Sequence, residues 1–300
     1  MYMIKGCLKM NLYRDFTTSK QIDEEYNAIL GVTDIGVYVS QDVKRSKKTC
    51  DELEHLANIS YGLSSDEVLD VYPSKNRNSP VVVFIHGGYW KSLSNKDFSF
   101  VAKGLVDKGF TVVLTNYSLC PKVSIPEITK QNCEAVKWVY NNSHEYYGNN
   151  QNIFVCGHSA GGQQASMLSL CNWNKDYDLP DDVIKGCISI SGLFDLRPLE
   201  FSWLQTEINL TEEIIVEQSP FLKNIKNCSS TLVIVGENES SEFIRQSSDY
   251  ANKLKNSDNN AQLYIASGKN HFSIVQDLYR SSSDLCMNIE KFIKVNIKKK

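Results

Sequence analysis

Ser159 lies in Gly157-His158-Ser159-Ala160-Gly161, a G-x-S-x-G arrangement between a strand-like run and a stretch of small helix-forming residues. A sharp strand-to-helix turn leaves such a serine hydroxyl exposed above a sheet, and the flanking glycines relieve the crowding. The N–H of Ala160 then opens a helix and can donate to a developing oxyanion. His158 occupies the variable position and reads as a packing residue. A second motif, His86-Gly87-Gly88-Tyr89-Trp90, ends an early strand. Gly87 and Gly88 suit further oxyanion donors, because a side chain there would hold the backbone away from the charge. Tyr89 can contribute as well, and His86 reads as a residue that orders the loop.

A serine hydroxyl needs a base, and the chain has five histidines, so elimination is informative. His55 and His144 fall in polar segments, while His86 and His158 are already placed. His271 follows the last strand-like run, where the base of a Ser…acid…His order belongs. The acid should follow the run 231–235, where Glu237, Glu239 and Glu242 compete. Asp195 is a further candidate, and spacing does not choose among the four.

These groups need a scaffold of parallel strands. Continuous Val/Ile/Leu-rich runs at 80–85, 110–114, 152–156, 186–190, 231–235 and 262–266 read as strands buried on both faces. Helical patterns at 95–108, 126–142, 160–170 and 273–294 alternate with them, the last interrupted at Ser281-Ser282-Ser283. The stretch 67–73 alternates like an antiparallel edge strand. The segment 194–224, with helix-like pieces between two core strands, reads as a small cap over the site. The expected architecture is α/β: an α/β-hydrolase fold, mostly parallel with helices on both faces, as one domain over 1–300.

Composition narrows the functional classes. A formal charge of -3 provides no basic footprint for nucleic acid. No apolar run reaches the roughly 18 residues of a membrane span. Lys5, Lys9 and Arg14 interrupt the first fifteen residues, which therefore lack the apolar core of a secretory signal; a cytoplasmic chain is expected. The nine cysteines are odd in number and show no zinc-like spacing, so reduced thiols and no metal are expected.

Taken together, the motifs resemble the kynurenine formamidase (arylformamidase) family of α/β-hydrolases. His86-Gly87-Gly88-Tyr89-Trp90 is similar to its HGGxW signature, and Gly157 through Gly162 to its G-H-S-A-G-[GA] elbow. The runs Ser191-Gly192-Leu193-Phe194-Asp195-Leu196-Arg197-Pro198-Leu199 and Glu242-Phe243-Ile244-Arg245-Gln246-Ser247, with His271-Phe272, extend the resemblance from about residue 20 onward. It implies that Glu239 is the triad acid, at the position of the family's Asp, with Ser241 in place of the usual proline. It further implies cleavage of N-formyl-L-kynurenine to L-kynurenine and formate, a step of tryptophan catabolism, without a cofactor. Tyr89, Trp90 and Phe194 would then wall the aromatic ring, and a homodimer would fit the family's tendency. A general short-chain carboxylesterase and an inactive, hydrolase-like binding module are the competing readings.

Overall fold

The computed structural model describes residues 11–297, so Lys5 and Lys9 lie outside the described residues. Eight strands form one sheet: β1 (Leu56–Ser60), β2 (Val68–Tyr72), β3 (Ser79–Ile85), β4 (Thr111–Thr115), β5 (Gly148–His158), β6 (Ile184–Ile190), β7 (Ser230–Gly236) and β8 (Ala261–Ala266). The larger helices up to the elbow are α1 (Ser19–Tyr26), α2 (Ile35–Glu52), α3 (Phe100–Asp107), α4 (Ile125–Asn142) and α5 (Ala160–Leu168). Strand order is β1-β2-β4-β3-β5-β6-β7-β8. β2 pairs antiparallel with β1 and β4, and every other neighbouring pair is parallel. The 67–73 stretch is therefore antiparallel but not an edge. The outer place belongs to β1, four of whose five residues are exposed, so it carries no alternating burial pattern that sequence could reveal.

Alternate residues of the parallel strands feed opposite layers, as a period of two requires. Val81, Val83 and Ile85 join Ile128, Val136 and Val139 of α4 and Ala165 and Leu168 of α5. Val82 and Phe84 join Phe100, Val101 and Leu105 of α3 and Ile289, Phe292 and Ile293 of the C-terminal helix. Both faces are covered, which is why these strands read as unbroken apolar runs. Pro126 stands in the first turn of α4, where its missing N–H costs nothing. The C-terminal pattern divides into Ser273–Gln276, a 3-10 turn at Asp277–Tyr279, and Asp284–Asn296, whose N-cap is Ser283.

The segment 194–224 is not a cap over the serine. Leu196, Leu199, Leu204, Ile208, Leu210 and Ile215 are buried in the same cluster as α4 and α5. Gln218 receives the Thr129 hydroxyl at 2.7 Å and its carbonyl receives the Gln163 amide at 2.7 Å. The helix-like pieces seen in the sequence thus form an inner wall, with their apolar residues spent on the core. Among the described residues no helix is long and apolar enough to cross a membrane.

Candidate active site

β5 runs directly into Ser159, which has φ 58° and ψ -120°, and α5 starts at the next residue. A left-handed serine is strained, and hydrogen bonds hold it in place. Its N–H donates to the Ile190 carbonyl at 2.8 Å, and its own carbonyl accepts from Gly162 and Gln163. The glycines are required by close approach: a Cβ on Gly157 would strike the Gly161 carbonyl, and one on Gly161 would strike that of Ile85. The nucleophile loop is thereby pressed against the end of β3.

The loops after β7 and β8 meet beside Ser159. His271 Nδ1 lies 2.7 Å from Glu239 Oε2. The other Glu239 oxygen accepts from the Gly236 N–H at 2.7 Å and the Ser191 hydroxyl at 2.5 Å. The carboxylate is fully enclosed, and these donors fix its orientation. The competing acids are occupied elsewhere. Glu237 is exposed and accepts from Ser267 and the Gly268 N–H, which hold its carboxyl below the usual range. Glu242 pairs with Arg245, and Asp195 pairs with Arg197. Sequence reasoning missed Ser191; its place at the end of β6, beside the acid's strand, was the available signal.

His158 does more than pack. Its Nε2 bonds the His271 carbonyl at 2.8 Å, so Nε2 carries the hydrogen. Burial, together with the neighbouring His271, holds its pKa well below the ordinary imidazole value, leaving the ring neutral. The elbow therefore grips the His271 loop directly.

His86 is fully buried and stacks on Tyr117 at 4.2 Å, with Nδ1 on the Gly87 carbonyl at 2.7 Å. Burial lowers its pKa to about 4, so it is a neutral brace for the glycine loop. Gly88 has φ 113°, and Tyr89 and Trp90 also take positive φ, so local backbone strain is concentrated in this loop. Trp90 and Phe194 do not wall the site. Trp90 is wholly buried and donates to Gln163 Oε1 at 3.0 Å, tying the loop to α5. Phe194 stacks on Tyr250 at 4.4 Å behind the sheet's edge. Aromatic type alone could not separate lining from packing, and only Tyr89 of the three reaches the cavity.

That cavity, about 270 Å³, is lined by Ser159, His158, His271, Gly88, Tyr89 and a largely apolar set of side chains. Its roof comes from the N-terminal segment: Ala28, Ile29, Ile35, Tyr38, Val39, Asp42 and Val43. The roof is pinned by a buried polar network. Tyr26 donates to Glu242 at 2.6 Å and Tyr13 to Asp195 at 2.9 Å, while Arg245 reaches both Glu242 and Tyr13. Gln246 accepts from the N–H groups of Phe194 and Asp195 and donates to Tyr26. Tyr89 donates to the Tyr26 carbonyl at 2.6 Å and accepts from the Ala28 N–H. The runs 191–199 and 242–247 thus serve to dock the roof rather than to touch a ligand.

An elbow serine at the end of the central parallel strand, with acid and histidine loops after the next strands, defines a hydrolase of the α/β-hydrolase fold. A carboxylesterase, EstE1, recovered from a metagenomic library, shares that fold with a TM-score of 0.70 at 18% identity, over 89% of this chain and 99% of its own. The BD-FAE profile matches residues 69–254. Kynurenine formamidase of Danio rerio is 34% identical over 230 residues, covering 74% of this chain and 76% of the relative. The Salmo salar kynurenine formamidase is 32% identical over 231 residues, with the same coverage. The chain belongs to the kynurenine formamidase family.

Proposed function

We propose that this chain is a serine hydrolase that cleaves the formamide bond of N-formyl-L-kynurenine, releasing L-kynurenine and formate. The observation that carries this reading is the buried Glu239–His271 pair, whose imidazole lines the same largely apolar cavity as Ser159. In the proposed reaction Ser159 Oγ attacks the formyl carbon while His271 Nε2 accepts its proton. The N–H groups of Gly87, Gly88 and Ala160 hold the oxyanion. As the C–N bond breaks, His271 returns the proton to the aryl amine. Water, deprotonated by His271, then attacks the formyl-serine ester, and formate leaves as Ser159 regains its proton. Glu239 fixes the imidazole tautomer and stabilises its positive charge throughout.

The relatives named above support formamide as the substrate, whereas the fold shared with an esterase favours a short-chain ester. Comparing kcat/KM for N-formylkynurenine and p-nitrophenyl acetate separates the two. A preference for the formamide is expected, and a strong preference for the ester would overturn the reading. Labelling by a fluorophosphonate that is lost in Ser159→Ala is also expected; absence of labelling in the unmodified chain would leave only a binding module.

A further inference from the structure

α2 faces the cavity with Ile35, Tyr38, Val39, Asp42 and Val43, the i, i+3, i+4, i+7, i+8 stripe of one helical face. Four of these five bring an apolar surface. Asp42 is the exception, and packing does not explain a carboxylate in that stripe. It is half-buried, and desolvation pushes its pKa up to about 6. Oδ1 accepts the Gln276 amide at 2.7 Å, and that same amide leans on the Tyr38 carbonyl at 3.3 Å. A neutral amide orients a carboxylate without forming an ion pair with it. No lysine or arginine is among the described residues that line the cavity. Arg45, one turn along α2, opposes the rise in the Asp42 pKa through its charge, but its guanidinium lies over the Tyr279 ring at 5.2 Å and makes no ion pair with Asp42. The cavity's other carboxylate, Asp97, is committed to the N–H and hydroxyl of Ser94.

We propose that Asp42 is a specificity residue that anchors a protonated amine on the leaving-group side of the substrate, with Tyr38 and Phe272 forming the aromatic wall beside it. This deepens the serine-hydrolase reading and rests on it. A half-buried carboxylate oriented by a neutral donor, in an apolar chamber that opens onto the serine, is an arrangement whose desolvation cost is recovered only when a cation arrives. The Tyr38 and Phe272 rings stand 5.6 Å apart at 41°, and such faces attract an ammonium as well as an aryl ring. The chamber thus favours compounds that join an aryl ring to an ammonium group and disfavours anionic tails lacking one.

The test uses matched pairs. N-formylkynurenine is compared with the analogue in which hydrogen replaces its ammonium group, and tyramine O-acetate with 4-ethylphenyl acetate. For each pair the readout is the ratio of kcat/KM, ammonium-bearing over ammonium-free. Losing a charged hydrogen bond should reduce that ratio about 10- to 100-fold in Asp42→Asn, mainly through KM, and Asp42→Glu should restore part of it. A ratio in Asp42→Asn equal to that of the unmodified chain in both pairs overturns the anchor. An equal loss for both members of each pair does so too, because that is a general structural effect. If the ester pair shows the Asp42-dependent ratio while neither formamide is cleaved, the anchor stands and the formamidase reading falls. If formamides are cleaved without any ammonium preference, the reverse holds.

Discussion

The floor and the roof of the cavity are built on different principles. The floor consists of Ser159, Glu239, His271 and the His86–Trp90 loop, each after a parallel strand of the sheet; β3, β5 and β7 are paired on both sides and β8 on one. The roof, α1 through α2, adds no strand to the sheet; it and the preceding Tyr13 are held by side-chain hydrogen bonds to the 191–199 and 242–247 runs. In the proposed reaction, chemistry is carried by the sheet-borne part and substrate choice by the docked part. Changes to the floor should reduce turnover, and changes to the roof should chiefly alter binding.

The floor breaks most severely at the serine. Ser159→Ala should lower kcat by ~10⁴–10⁶-fold; turnover near that of the unmodified chain would remove the nucleophile from Ser159. Next comes the acid, where Glu239→Gln should cost roughly 10³–10⁴-fold in kcat, since the imidazole loses both its tautomer control and its counter-charge. Glu237→Gln should stay within about twofold because its carboxylate faces Ser267 and Gly268. The opposite ranking would move the acid to Glu237. For the roof, Glu242→Ala leaves Arg245 without its closest partner and should destabilise the fold by about 3 kcal/mol. Urea denaturation measures that loss, and kinetics of the variant should show KM rising more than kcat falls. A kcat loss as large as that of Glu239→Gln would erase the division between floor and roof.

A smaller effect separates the parts by pH. His86 sits in the floor with its pKa lowered by burial from 6.5 to about 4. Unfolded chains take up this proton near 6.5, whereas the folded chain refuses it until about 4. Stability from His86 is therefore complete above 6.5 and is lost as pH falls through that window, approaching roughly 3 kcal/mol. Urea midpoints measured from pH 7 down to 4.5 should decline, and less steeply in His86→Asn. Parallel slopes in the two proteins would show that His86 does not set this loss.

The same division explains what could be read in advance. Strands 80–85 and 231–235 were visible because burial on both faces demands unbroken apolar runs. The elbow and His271 were visible because the chemistry restricts residue type and chain order. α2 was invisible for a physical reason: Val37, Val39 and Val43 are largely exposed, and its cavity-facing side packs against space for a ligand rather than against protein. Hydrophobic periodicity detects cores, and a helix whose apolar stripe awaits a small molecule carries only part of that signal. The 194–224 segment misled in the opposite direction, since its apolar residues belong to the core. Trp90 and Phe194 fell to the same ambiguity, as either role calls for a large apolar ring.

The network that pins the roof also has a consequence for the order in which the protein is assembled. Tyr26 must wait for Glu242, 216 positions later, and Tyr13 for Arg245, 232 positions later. Contacts so distant along the chain form late, after the loops between them have closed. The roof is therefore synthesised before the residues that hold it and is among the last parts to find its place. Until the helix Ser241–Asn256 has emerged and packed, the growing chain has no closed chamber to select a substrate.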